Sequence, residues 1–71
     1  MKNNKIEIYI NGEQELVAKG ISLQKILEKF SIKNKLIAIE LNKEVIPKSQ
    51  YRMRKVIQND RIEIVELIGG G

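Results

Sequence analysis

The stretch IEIYINGEQELVAK, residues 6–19, predicts a β-hairpin, and the remaining elements can be placed around it. Its first half alternates apolar and polar residues with the period of a strand that buries one face; the apolar members are Ile6, Ile8 and Ile10. Asn11-Gly12 comes next, and this dipeptide accepts the positive φ angles of a tight turn. EQELVAK therefore folds back as an antiparallel strand, with either Leu16 and Ala18 or Val17 directed inward.

A short amphipathic helix is predicted after the hairpin. Ser22 stands at the N-cap position, where its hydroxyl can accept a hydrogen bond from an exposed N–H of the first turn. Ile21, just before the cap, can pack on the helix as a hydrophobic staple. Apolar residues then recur at the spacing of one helical face: Leu23, Ile26, Leu27 and Phe30.

Three further strands are indicated after the helix. LIAIEL at residues 36–41 and VIP at 45–47 flank a turn at NKE, and the proline ends the second strand because it cannot donate to a ladder. Residues 48–58 have weak periodicity and predict a loop with a helical turn. Asn59-Asp60 makes another turn before RIEIVEL at residues 61–67.

This order of elements predicts an α+β fold, in which one main helix crosses one face of a mixed sheet of four to five strands. The long connection between the hairpin and the last strand lets that strand lie parallel to the first, so that both are central. Their isoleucines then face the helix: Ile6, Ile8, Ile10, Ile62 and Ile64. The uncovered face carries Tyr9, Val65 and Leu67 among charged residues, an exposed apolar patch close to the C-terminal tail.

Composition is typical of one small globular domain. The 71 residues leave no room for a second domain, and 42% apolar with 31% charged residues excludes a disordered chain. Charged residues interrupt the start MKNNKIEIYI before the apolar core of a signal peptide could form, and no apolar run is long enough to span a membrane. We therefore expect a single cytoplasmic domain over residues 1–71, with a flexible glycine tail at 69–71.

The chain contains no Cys and no His, so it lacks disulfides, thiolates, the usual zinc ligands and the commonest general base. Glu40, Glu44 and Glu63 are interpreted as solvated or turn residues, because nothing in the sequence brings two of them to a shared pocket. The net charge of +4 could attract nucleic acid. For the basic cluster KSQYRMRK at 48–55, a solvated loop is favoured, because the aromatic residues of single-strand binders are nearly absent.

The sequence ends in three glycines, which neither bury a side chain nor hold a conformation. A frayed end is the ordinary interpretation of such a terminus. The alternative is that the terminal carboxylate and the glycine segment that carries it are the functional part of the protein.

Three segments resemble the sulfur carrier proteins of thiamine (thiazole) biosynthesis, the ThiS family, whose fold is the ubiquitin-like β-grasp. They are INGE at residues 10–13, IAIELNKEVIP at 37–47 and NDRIEIVELIGGG at 59–71. With the spacing between them they cover almost the whole chain. A terminal Gly-Gly alone is shared across ubiquitin-like proteins, whereas these strands followed by the terminal glycines form a specific combination.

The resemblance implies a carrier rather than an enzyme. In this family an adenylating, ubiquitin-activating-like enzyme uses ATP on the C-terminal carboxylate, a sulfur-donor system turns the adenylate into a thiocarboxylate, and thiazole synthase receives the sulfur. Here the sulfur would be attached at Gly71, with Gly69 and Gly70 threading into the partners' active sites, and the carrier itself would bind no cofactor or metal. The residues expected to dock partners are Tyr9, Val65, Leu67 and Ile68.

Two alternatives stay open. The first is a carrier of the same chemistry that serves molybdopterin synthesis or another acceptor, because it would use the same fold and the same terminal Gly-Gly. The second is a basic β-grasp module that binds RNA and has a tail without function. Salt-dependent RNA binding that survives deletion of the glycines would favour this second alternative.

Overall fold

A computed structural model describes residues 4–33 and 36–67 of the chain. Within them, five strands, one α-helix and one 3₁₀ turn follow each other in the predicted order. Ile68 and the predicted tail at 69–71 lie outside the described residues. The elements are β1 (Lys5–Ile10), β2 (Glu13–Ala18), α1 (Leu23–Lys29), β3 (Ile37–Leu41), β4 (Glu44–Ile46), a 3₁₀ turn (Lys48–Gln50) and β5 (Arg61–Glu66).

The five strands form one mixed sheet in the order β2-β1-β5-β3-β4. β1 pairs with β5 in parallel, with Tyr9 opposite Arg61 and Ile10 opposite Ile62. The neighbouring pairs β1–β2, β3–β5 and β3–β4 are antiparallel. The predicted α+β architecture is therefore confirmed, with the C-terminal strand in the middle of the sheet.

Both short hairpins turn on residues with positive φ. Asn11 and Gly12 have φ angles of 51° and 86°, and Asn42 and Lys43 have φ angles of 52° and 71°. Two consecutive positive values match the twist of the flanking strands in a two-residue hairpin loop. In the first hairpin Val17 is buried and Leu16 is exposed, which decides between the two predicted orientations of β2.

The helix begins as the sequence predicts. The Ser22 hydroxyl oxygen accepts a hydrogen bond from the backbone N–H of Lys25 at 3.1 Å, which satisfies one of the donors left free in the first turn. The helix packs its apolar face on the sheet, and Phe30 at its end is partly buried against the same core. The core comprises Ile6, Ile8, Val17, Leu23, Ile26, Leu27, Ile37, Ile39, Leu41, Ile46, Tyr51, Val56 and Ile62.

The segment between β4 and β5 is more deeply packed than its sequence predicts. It begins with the expected helical turn, but Tyr51 and Val56 are both buried in the core. Backbone hydrogen bonds from Leu23 N to Arg54 O (2.9 Å) and from Val56 N to Ile21 O (3.0 Å) hold the segment against the start of the helix. Burial raises the pKa of the Tyr51 phenol above its ordinary value, as desolvation opposes ionisation.

Asp60 is a buried carboxylate at the start of β5 that the sequence analysis treated as an ordinary turn residue. Its Oδ1 accepts from Asn42 Nδ2 at 2.9 Å, and its Oδ2 accepts from the backbone N–H of Ile57 at 2.8 Å. Asn42 Oδ1 accepts in turn from the backbone N–H of Arg61 at 2.9 Å. The network fastens the β3–β4 turn to the first residue of β5, and so fixes where the central strand begins.

Replacing Asp60 tests this network. We expect Asp60→Ala to lower the free energy of unfolding by about 2 kcal/mol, because two part-buried hydrogen bonds lose their acceptor. Asp60→Asn should also destabilise, since one of its amide atoms would place a donor against a donor. Urea denaturation measures both, and Glu13→Ala, at an exposed position, is the control, expected to shift stability by less than about 0.5 kcal/mol. An Asp60→Ala domain as stable as the wild type would contradict the assignment.

Candidate functional site

The candidate site is the end of β5 and the uncovered face of the sheet beside it. Leu67 directly follows the last strand residue, and its backbone N–H donates to the carbonyl of Leu36 at 2.7 Å. The chain is therefore hydrogen-bonded to the start of the β3 segment as far as its last described residue. Four residues remain after Leu67, and even fully extended they reach no further than about 14 Å.

Asn11 secures the other side of β5. Because the chain turns away from β5 at Asn11-Gly12, the C-terminal part of β5 would lack a hydrogen-bonding partner on this side. Instead the Asn11 side chain acts as one more strand position: its Oδ1 accepts from Ile64 N at 2.7 Å and its Nδ2 donates to Ile64 O at 3.3 Å. The strand that precedes the tail is thus held on both flanks.

The uncovered face carries three strongly exposed apolar side chains. Val65 is 50% exposed, Leu67 51% and Val45 66%. Val65 and Leu67 were predicted as docking residues, and the structure places them on this face at the C-terminal end of β5. Val45 was not predicted; it shares the face because it lies opposite Glu40 on β3, which in turn lies opposite Glu63 on β5.

Tyr9, a third predicted docking residue, stands apart from these side chains. Tyr9 is half-buried, and the guanidinium carbon of Arg61 lies 4.5 Å from the centroid of its ring, so the arginine covers part of the aromatic face. Ile68 lies outside the described residues. Of the four predicted positions, the structure therefore brings Val65 and Leu67 together on an open surface.

Two glutamates face each other in the middle of this surface. Glu40 and Glu63 are directly opposite partners in the antiparallel pairing of β3 with β5, a proximity that nothing in the sequence alone indicates. Both carboxylates lie on an open sheet surface rather than in a closed pocket, so the expectation against an acid/base pair is not changed by this pairing. Glu44, the third of the predicted set, lies 3.7 Å from Arg54 instead.

The described residues supply neither a metal centre nor a membrane span. In residues 4–33 and 36–67, no three side chains of the metal-binding types His, Cys, Asp or Glu come together. The helix in this part of the chain is too short and too polar to cross a membrane.

Comparison with known proteins places these features in a family. The family model described as the ThiS family matches residues 3–71. A relative from Bacillus subtilis, named a sulfur carrier protein ThiS, is 38% identical over 50 residues, which are 70% of this chain and 76% of the relative. A relative from Paramagnetospirillum magneticum, named a thiazole synthase, is 33% identical over 66 residues. That match covers 93% of this chain but 20% of the relative, so the chain spans about a fifth of that protein's length.

A solved structure has the same fold. The crystal structure of a thiamine biosynthesis protein (ThiS) from Geobacter metallireducens matches with a TM-score of 0.82 at 23% sequence identity, covering 93% of this chain and all of that chain. The likeness confirms the predicted β-grasp arrangement.

The role of Asn11 at the end of β5 can be isolated by substitution. Asn11→Gly keeps the positive φ of the turn but removes the side-chain amide, so we expect about 1 kcal/mol of destabilisation and faster hydrogen exchange at the Ile64 amide. Asn11→Ala should cost about 1 kcal/mol more, because alanine is strained at this φ.

The matched control is Asn59→Gly. Asn59 also has a positive φ, of 71°, but its side-chain oxygen accepts a hydrogen bond from Gln58 Nε2 instead of bonding to β5. Native-state hydrogen exchange followed by NMR reads out Ile64 in each variant. Equal Ile64 exchange in Asn11→Gly and Asn59→Gly would refute the proposed support.

Proposed function

Because the chain belongs to the ThiS family, we propose that it is a sulfur carrier of thiamine thiazole biosynthesis, with the sulfur bound to the carboxyl carbon of Gly71. The observation that carries the proposal is how β5 is held in the sheet and how few residues separate it from the terminal glycines in the sequence. This central strand is hydrogen-bonded to Asn11 on one flank as far as Ile64 and to Leu36 on the other flank as far as Leu67. In the sequence, one residue separates Leu67 from the three terminal glycines.

The chemistry requires activation from outside the chain. A carboxylate is inert to nucleophiles, and attack on ATP converts it to an acyl adenylate with release of pyrophosphate. Hydrosulfide delivered by a donor system then attacks the acyl carbon, the C–O bond to AMP breaks, and loss of the sulfur's proton leaves a thiocarboxylate. With neither Cys nor His in the chain, we assign every catalytic step to partner enzymes and treat the carrier as their co-substrate.

The glycines suit a tail that enters an active site. Without side chains, Gly69 to Gly71 can pass through a narrow channel and adopt backbone angles closed to other residues. Their N–H and C=O groups are then the handles by which an adenylating enzyme can position the carboxylate at ATP. This function places the carrier in the cytoplasm, where ATP and the two partner enzymes are available.

Thiazole synthase is the acceptor we propose. The relative named thiazole synthase contains a region similar to nearly all of this chain within a protein about five times as long. A carrier-like domain in one polypeptide with a synthase supports the same pairing between separate chains. We propose that the thiocarboxylate of Gly71 donates its sulfur to that enzyme.

The tail is tested directly by Gly70→Val. A β-branched side chain should block passage through the channel, so we expect adenylation by the host's activating enzyme to fall roughly 100-fold or more. Thermal unfolding should be unchanged, because the substitution lies beyond the last strand. Gly70→Ala is the graded control, with an intermediate loss expected from its smaller side chain. Pyrophosphate release measures the rate, and a fully active Gly70→Val variant would rule out threading.

The apolar face is tested by Val65→Asp and Leu67→Asp. Each places a charge where the partner is expected to bury apolar surface, so we expect enzyme binding to weaken about tenfold while stability changes by no more than about 1 kcal/mol. Met53→Asp is the matched control, because Met53 is 73% exposed in the segment between β4 and β5. Isothermal titration calorimetry gives the affinities. If Met53→Asp weakened binding as much as Val65→Asp, the docking face would be wrongly assigned.

A further inference from the structure

The pairing of Glu40 with Glu63 carries an inference that rests on the proposed function and adds the chemistry of the partner. Directly opposite residues of an antiparallel pair have Cβ atoms about 4.5 to 5.5 Å apart, and like charges there destabilise the sheet. No salt bridge joins either carboxylate to a cation among residues 4–33 and 36–67. The free domain therefore retains a repulsive pair in the middle of its open face.

Two cations of this face, Arg61 and Lys43, form no salt bridge with the pair. Arg61 lies on the same face of β5, but its guanidinium is drawn over Tyr9 on β1, on the side away from β3. Lys43 lines the same shallow groove as the two glutamates without forming an ion pair within 4.0 Å. Val45 and Val65 flank the pair with apolar surface.

The pair lies within the footprint of any enzyme that holds the tail. Glu63 precedes Leu67 by four strand positions, about 13 Å along the sheet. A standard interface covers about 800 Å² of each partner, which as a circle has a radius of about 16 Å. An enzyme that grips the last four residues and covers the exposed Val45, Val65 and Leu67 will also cover Glu40 and Glu63.

We propose that the adenylating enzyme docks an apolar surface on this face and places an arginine between Glu40 and Glu63, and that this contact selects the enzyme. Covering two adjacent carboxylates without a cation would leave unpaired charge in the interface. A guanidinium satisfies both, because it is planar, donates in a fork and is weakly hydrated. A second copy of this chain is disfavoured, because two such faces would bring four carboxylates together.

If this contact forms, loss of one of the two glutamate charges should stabilise the free carrier and weaken its complex with the adenylating enzyme. Glu40→Gln and Glu63→Gln each remove the repulsion, so we expect the melting temperature of the free domain to rise by about 2 to 4 °C. We expect the dissociation constant with the host's adenylating enzyme to rise at least about tenfold. The salt dependence of binding should also become smaller, because a charge contact has been lost.

Titration calorimetry at low and high salt, together with thermal unfolding, gives these quantities for both variants and for Glu13→Gln. Glu13 is the matched control, since it is exposed on β2 at the opposite edge of the sheet. A control variant that binds like the wild type supports the assignment to the pair. Unchanged affinity in Glu40→Gln and Glu63→Gln, or weaker binding with a lower melting temperature, would overturn it.

Three further outcomes separate this inference from others. If both variants bind and are adenylated like the wild type, the contact is absent although the carrier function stands. If the wild type itself is not adenylated, the proposed function fails and the inference fails with it. Self-association of the free carrier that Val65→Asp abolishes, or a loss of affinity confined to thiazole synthase, would assign the face to another occupant and overturn the proposal.

Discussion

The parallel pairing of β1 with β5 is the contact on which the rest of the molecule depends. It joins residues more than fifty positions apart, with Tyr9 opposite Arg61 and Ile10 opposite Ile62. Backbone bonds extend it at both ends, from Tyr9 N to Asp60 O at 2.9 Å and from Asn11 N to Ile62 O at 2.8 Å. This pairing puts the last strand in the centre of the sheet, where it has neighbours on both sides. A C-terminal tail therefore leaves from a strand that is bonded on both flanks.

In that arrangement, the residues that stabilise the fold differ from those proposed to take part in partner binding and sulfur transfer. The hydrophobic core lies between the helix and one face of the sheet, so the other face and the tail are free to serve partners. In the proposed function, the lack of side chains in the terminal glycines suits entry into a narrow active site. The opposed glutamates follow the same logic, because natural proteins accept local destabilisation where a surface must recognise something. In the proposed function, the domain holds a C-terminal end that partner enzymes modify.

The parts of the fold that depend on local pattern could be predicted from the sequence, and those that depend on register could not. The alternation of Ile6 and Ile8, the turn at Asn11-Gly12 and the cap at Ser22 are local signals, and the structure confirms them. The burial of Tyr51 and Val56 was missed, because their segment has no periodicity and is placed by bonds to the helix start. The roles of Asp60 and Asn11 were missed for a similar reason. Their hydrogen-bond partners lie far along the chain, so local sequence patterns do not identify them.

The candidate site shows the same division. Val65 and Leu67 were placed on the open face by alternation within one strand, but Val45 and the Glu40–Glu63 pair required knowing which residue of β3 lies opposite which residue of its neighbours. A shift of one position would have sent these side chains to the other face.

The most direct test of the carrier role is the intact mass of the protein purified gently from its own host. We predict a gain equal to replacement of one oxygen by sulfur, mapped to the C-terminal peptide and absent from a variant lacking Gly70 and Gly71. An unmodified terminus that the host's activating enzyme and ATP also fail to adenylate would contradict the account.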